Sequence, residues 1–320
     1  MNIIEKFQTV IILLAVGLGL LLGQFAFLEK HAESFIIPFL LFMLYGLFLA
    51  IPLKGLKNAF KNIKFLSTNI LINFLWTPLL AWGLGAIFLS DHPALWLGFI
   101  LLLVTPCTDW YLIFTSIAKG NMSLSTSVLP VNLILQVILL PIYLFIFAGR
   151  METVGLSTIL ESVVLILFVP FILASLTRYF LKKRQELLEK KIIPFFASSQ
   201  IVFLCLAIVS MFASQGYYLL NNLEVILLML IPLLLFFVLN FILAQTVGKV
   251  FKFNFQDTVS LNMTIIARNS PVALAIVLTA FPDQPIIALA LIIGPLIELP
   301  VLAILAQVLL KIRKRENKEQ

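Results

Sequence analysis

Apolar runs of about 20 residues recur along the whole chain, separated by short polar stretches. A run of that length, wound as an α-helix, matches a bilayer core of about 30 Å. The short alternating segments that mark a membrane β-barrel do not recur. The pattern predicts ten spans, at approximately 7–28, 35–53, 65–89, 94–118, 123–147, 155–181, 192–213, 222–247, 257–281 and 284–311. The fold class expected is an all-α polytopic membrane protein. The run at 7–28 has no basic leader and no A-x-A-like cleavage site, so it reads as the first span and not as a signal peptide.

Two spans carry polar interruptions. Thr105-Pro106-Cys107-Thr108-Asp109 breaks the fourth, and Ala267-Arg268-Asn269-Ser270-Pro271 breaks the ninth. Pro106 and Pro271 are 165 residues apart, and so are Pro130 and Pro295 in the spans that follow. These four prolines are read as helix breaks. The spacing predicts two five-helix repeats, about 7–147 and 155–311, followed by a basic tail at 312–320. Five is odd, so the second repeat enters the membrane inverted. Helices 4 and 9 are then discontinuous and cross. Interrupted helices at matching positions of inverted repeats point to a transporter binding site. The whole of 1–320 reads as a single transmembrane transporter domain.

Charge fixes the orientation. Of the 22 basic residues, 19 fall at one set of span ends and only Lys30 and Arg150 at the other; Arg268 lies inside span 9. Cytoplasmic loops carry the excess of Lys and Arg. Both termini are therefore expected in the cytoplasm, with the chain in the inner (plasma) membrane. The net charge of +7 does not indicate nucleic acid, because the basic residues sit in short loops between apolar runs. The expected partners are the lipid bilayer and a small-molecule or ionic substrate.

With 62% hydrophobic and 12% charged residues, the chain has no room for a soluble domain. There is no phosphate-binding loop. His31 and His92, the two histidines, fall in outside loops. No catalytic constellation, metal or cofactor is expected, and the chain does not read as an enzyme. Cys107 and Cys205 imply no disulfide framework.

Three ionisable residues lie deep in spans: Asp109, Arg268 and Glu298. A lone charge in hydrocarbon costs at least about 2.5–3.5 kcal/mol, so each should face water or a partner. If the two interruptions meet, Asp109 and Arg268 come within reach. They then form either an ion pair that holds the crossing together or a charge-balanced site for an anion or a proton. The second half of each broken helix starts near the membrane centre, where free N–H groups favour anions. Thr108, Asn269 and Ser270 can cap those ends. Cys107 is either a small packing residue or a soft ligand. No second cysteine is near it, so a multi-thiolate cage is not expected. Glu298, flanked by Pro295 and Pro300, is either a proton carrier or a brace for a kinked neighbour. Asn132 and Gln136 of span 5 are placed on the same cavity.

These residues resemble the bile acid:sodium symporter superfamily, and most closely its arsenite-efflux carriers. The resemblance covers nearly the whole chain. It rests on Pro106-Cys107-Thr108 followed by Ala118-Lys119-Gly120, on Asn132, on Asn269, and on the Gly-Pro-Leu-Ile-Glu-Leu-Pro run at 294–300. It implies that Cys107 and Glu298 are the functional pair. The chain departs from the pattern in two respects. Thr264 and Arg268 stand where sodium-coupled members have acidic and amide residues. Asp109 and Arg268-Asn269-Ser270-Pro271 replace a small apolar residue and an Asn-Phe-Phe-Glu-like run. The function expected is a secondary transporter that exports arsenite or a related small oxyanion by proton exchange. The alternative is a symporter of organic anions, bile-acid-like or small carboxylates, with or without sodium.

Overall fold

The computed structural model describes residues 8–50, 60–108, 110–148, 161, 164–220, 223–281 and 284–319. Asp109 lies outside them, as do Lys6, Lys54, Lys57 and Arg150 of the charge count. Among the described residues every regular element is helical.

In chain order the helices are α1 (Gln8–Leu22), α2 (Ala26–His31), α3 (Glu33–Ala50), α4 (Ile63–Phe88), α5 (Pro93–Leu103), α6 (Trp110–Ile117), α7 (Met122–Ala148), α8 (Val169–Phe180), α9 (Ile193–Leu220), α10 (Leu223–Val250), α11 (Phe255–Ile266), α12 (Ser270–Ala280) and α13 (Pro285–Glu319). Among the described residues seven stretches are long and apolar enough to cross a bilayer: Glu33–Ala50, Ile63–Phe88, Met122–Phe147, Val164–Lys183, Gln185–Ser214, Leu227–Val250 and Pro285–Lys314. Pro93–Leu103 and Ser270–Ala280 are shorter apolar helices. Other helices present bare hydrocarbon outward: Leu14, Leu18 and Leu21 of α1 and Ile172, Leu173 and Leu176 of α8 are exposed. In lipid these side chains need no cover, because helices satisfy their own backbone.

The chain folds as two compact units. One comprises 1–51, 149–225 and 271–292; the other comprises 52–148, 226–270 and 293–320. Each unit draws on both halves of the chain.

In the first unit α9 packs against α1 and α3, and α3 also packs against α8. Small residues set the α1–α9 approach. A Cβ on Gly19 would lie 2.6 Å from Phe212 Cβ and 2.8 Å from the Val209 carbonyl; one on Gly23 would lie 2.7 Å from the Ala213 carbonyl. Helices in lipid associate by such close backbone contact, since burial from water is not available to drive them. Tyr45 and Thr177 share a 2.9 Å hydroxyl contact, and the Arg178 guanidinium donates to the Leu49 carbonyl at the end of α3. Gly19→Val is expected to force α1 from α9 at about 1–3 kcal/mol, the usual cost of overpacking. A lower melting temperature of the purified protein checks this, and an unchanged one would contradict it.

In the second unit α4 packs on α5, and α7 packs on α5, α6 and α11. Helix α4 contains a π-type turn over Ile72–Trp76, just before Pro78. Proline has no N–H for the carbonyl four residues back. That carbonyl, Phe74 O, accepts the Tyr143 hydroxyl of α7 at 2.6 Å.

The interruptions of the fourth and ninth spans are present. Helix ends at Leu103 and resumes at Trp110; helix ends at Ile266 and resumes at Ser270. The other two expected breaks need correction. Pro130 lies within the continuous α7 and Pro295 within the continuous α13. A proline removes one hydrogen bond, and a membrane helix tolerates this when a neighbour or a local adjustment satisfies the freed carbonyl. Pro106 lies in its interruption, whereas Pro271 is the second residue of α12, a position that needs no intrahelical N–H.

Candidate functional site

All of the site lies in the second unit. The two interruptions meet there as a short antiparallel bridge between Pro106 and Arg268. Cys107 N–H donates to the Ala267 carbonyl at 3.0 Å, and Asn269 N–H donates to the Thr105 carbonyl at 2.7 Å. The main chain of each break thus satisfies the other.

The helix ends that flank the bridge leave orphan carbonyls. Those of α5 are taken up in turn. Ile100 O accepts Val104 N–H, Leu101 O and Leu102 O share the Thr105 hydroxyl, and Leu103 O accepts Arg268 Nη1 at 3.0 Å. At the end of α11, Met263 O accepts Ala267 N–H, Thr264 O accepts Asn73 Nδ2, and Ile265 O accepts Arg268 Nη2. Arg268 therefore ties together the C-terminal ends of both half-helices.

Arg268 is 2% exposed. Its Nη1 also donates to Asn73 Oδ1 at 3.2 Å, and its guanidinium carbon lies 5.1 Å from the centre of the Phe236 ring. A buried charge needs such a shell, because its desolvation would otherwise cost several kcal/mol. Glu298 of α13, 3% exposed, accepts the main-chain N–H of Arg268 at 2.8 Å. The carboxylate is thus anchored to the bridge itself.

An amide ladder supports this arrangement. Asn69 Nδ2 donates to Asn132 Oδ1 at 2.7 Å, and Asn73 Nδ2 donates to Asn69 Oδ1 at 3.1 Å. The chain of bonds runs from α7 through α4 to Arg268. Asn132 therefore reaches Arg268 through two intermediates. Asn269 Nδ2 donates to Thr108 Oγ1 at 3.4 Å, which links the two breaks by side chains as well. Cys107 is buried in the bridge at 5% exposed, and Ser270 is buried at the start of α12. Gln136, one turn beyond Asn132, is buried with neither amide atom bonded among the described residues.

The structure brings Cys107, Thr108, Asn132, Arg268, Asn269 and Glu298 to one crossing. The Asp109–Arg268 pair lies outside the description, since Asp109 is not among the described residues. Asn69, Asn73 and Phe236 are additions that the sequence reading did not single out. Asn69 and Asn73 carried a signal, two amides one turn apart in an apolar span. Phe236 carried none, being one of 29 phenylalanines. Among the described residues no group of three or more His, Cys, Asp or Glu could hold a metal ion.

A bundle of long apolar helices with two broken helices meeting over buried charges defines a multi-pass membrane transporter. Residues 37–222 match the Sodium Bile acid symporter family, and the chain belongs to that family. It is 24% identical over 322 residues to a Corynebacterium glutamicum protein named "Arsenical-resistance protein Acr3", covering 94% of this chain and 87% of the relative. A protein of the same name from Alkaliphilus metalliredigens is 25% identical over 282 residues, covering 83% and 78%. An uncharacterized Synechocystis transporter is 24% identical over 344 residues, covering 96% and 88%.

Proposed function

We propose that this chain exports arsenite, or a related small oxyanion, in exchange for protons. The observation that carries this reading is the placement of Cys107 and Glu298 on the same three-residue link. Cys107 N–H bonds to Ala267, and Glu298 bonds to the N–H of Arg268 next to it. A soft thiol and a carboxylate thus stand on one bridge. Relatives named for arsenical resistance support the substrate.

Arsenite is uncharged at neutral pH and reacts with thiols. One As–S bond forms with Cys107 as one As–O bond breaks, and the thiol proton leaves with the hydroxyl group as water. Thr108, Asn269 and Ser270 supply hydrogen bonds to the remaining hydroxyls. Glu298 takes up and releases the exchanged proton. Gln136 has amide groups to spare for a polar solute. Ten spans in two inverted repeats, with both termini in the cytoplasm of the inner membrane, complete the proposal. The 165-residue offset of the two interruptions and their antiparallel meeting support the repeat.

The alternative, an organic anion symporter, would use the Arg268 guanidinium as its receptor. Its Nη groups are already engaged by Asn73, Leu103 and Ile265, and only the buried Nε has no hydrogen bond among the described residues, which weighs against that role.

The test is arsenite efflux from cells that express the chain or its Cys107→Ala variant. The variant is expected to bind arsenite about tenfold more weakly, the equivalent of about 1.4 kcal/mol, and to lose protection in proportion. Full protection by the variant would remove the thiol from the mechanism.

A further inference from the structure

We infer that the seam between α10 and α11 holds a single file of water molecules, which joins the α10–α11 turn to Arg268 at the crossing. Both helices belong to the second unit. On α10, Phe236, Asn240, Ala244 and Gly248 recur every four residues, and all four are buried. On α11, Thr258 and Asn262 lie one turn apart, and Asn262 is fully buried. The two stripes are pinned at both ends. A Cβ on Gly248 would lie 2.7 Å from the Thr258 hydroxyl oxygen. At the other end the Arg268 guanidinium lies over the Phe236 ring.

Between these ends the polar atoms are orphaned. Asn240 Nδ2 donates to the Phe236 carbonyl at 3.0 Å, and Asn262 Nδ2 donates to the Thr258 carbonyl at 2.8 Å. Only the NH₂ group can serve a carbonyl, so each Oδ1 is the atom left over. Among the described residues, Asn240 Oδ1, Asn262 Oδ1, Arg268 Nε and Gln245 Nε2 are buried without a hydrogen bond. A buried polar atom without a partner costs about 1–3 kcal/mol, so four along one seam call for a shared partner. Two of them are acceptors and two are donors. An anion would use only the donors and a cation only the acceptors. Water uses both, and a buried water is held by two to four such groups.

The spacing agrees. Helix α10 ends at Val250 and α11 begins at Phe255, with Phe253 N–H folded back onto the Gly248 carbonyl at 2.9 Å, so the helices run antiparallel. With Gly248 facing Thr258, Ala244 comes level with Asn262, and Asn240 falls one turn deeper. The Arg268 guanidinium, over Phe236, is one turn deeper again. Each step is one helical turn, about 5.4 Å. Two hydrogen bonds through one water span about 5.6 Å, so a single water bridges each step. Ala244 leaves room for it, with only a methyl group opposite Asn262. Gln245 and Thr258 are partly exposed at the turn, so the file opens there.

The file brings solvent to the main-chain link that Glu298 holds. It is then the route by which the exchanged proton reaches the crossing. That consequence rests on the proton-exchange reading. The file itself does not.

The experiment is silver-ion labelling of the detergent-purified chain carrying Asn240→Cys or Asn262→Cys, with no transport step. A silver ion displaces the thiol proton, is close to water in size and enters hydrocarbon poorly. Mass spectrometry reads each cysteine separately after the remaining thiols are alkylated. Leu261→Cys, at another fully buried position of α11, is the dry reference. Both seam positions are expected to react at least about tenfold faster than this reference, because a thiol ionises and binds metal where water reaches it. A smaller margin at either position would overturn the inference. If Asn240→Cys or Asn262→Cys gives no folded protein, Ala244→Cys takes its place under the same criterion. Normal net efflux by a Glu298→Gln variant would count against proton exchange and leave the labelling result standing.

Discussion

Glu298→Gln is expected to abolish net proton-driven efflux while leaving solute-for-solute exchange in place. Glutamine has the shape of glutamate and keeps an Oε1 acceptor for the Arg268 N–H, which lies 2.8 Å away in the native protein. The bridge between the interruptions should therefore persist. What glutamine lacks is a proton that can be taken up and released. It resembles the protonated carboxyl group permanently, so a step that requires proton release stops. Exchange of one solute for another requires no such release and continues. Everted vesicles with an imposed pH gradient measure the first process, and labelled arsenite preloaded against unlabelled arsenite measures the second. Normal net efflux would exclude Glu298 as the proton carrier. Loss of both processes together would assign it to holding the bridge and not to coupling.

Asn69→Leu is expected to give a large loss of stability. Leucine keeps the branching and the heavy-atom count of asparagine and is not smaller, so no cavity opens and the loss includes the missing hydrogen bonds. The substitution strands the buried Asn132 Oδ1 and leaves the buried Asn73 Nδ2 with its 3.4 Å bond to the Thr264 carbonyl alone. A buried group left without a partner costs about 1–3 kcal/mol, so about 1–3 kcal/mol is expected from Asn132 Oδ1, with the lost Asn69–Asn73 bond adding to it. It also releases Asn73, whose oxygen then no longer has a fixed aim at Arg268. The melting temperature reports the first effect. A double variant, Asn69→Leu with Asn132→Leu, separates the terms. It removes both partners of one bond, so it should be less destabilised than the sum of its single changes. Additive losses would show that the ladder is not coupled.

The interruptions were legible because their residues oppose their surroundings. A proline, a cysteine, an arginine and an amide inside apolar runs can be placed only where the backbone is open or the charge is met. Cys107, Arg268 and Glu298 stand out from their surroundings in this way. The same reasoning over-read Pro130 and Pro295. A proline identifies one missing hydrogen bond, but whether the helix continues depends on what the freed carbonyl meets. For Pro78 the partner is Tyr143, 65 residues further along the chain, and nothing local announces it.

Class is carried by local quantities: the length of an apolar run and the position of a residue that hydrocarbon cannot accept. Each is read one segment at a time, which is why composition and pattern suffice for a multi-pass helical membrane protein and for the two sites of interruption. The partners of Arg268 are of another kind. Two of the three oxygens around its guanidinium are main-chain carbonyls, of Leu103 and Ile265. Every residue has a carbonyl, so no side-chain pattern marks the few that a helix end leaves free. Only when two such ends are packed against each other, with Asn73 turned by Asn69, do those oxygens converge on one charge.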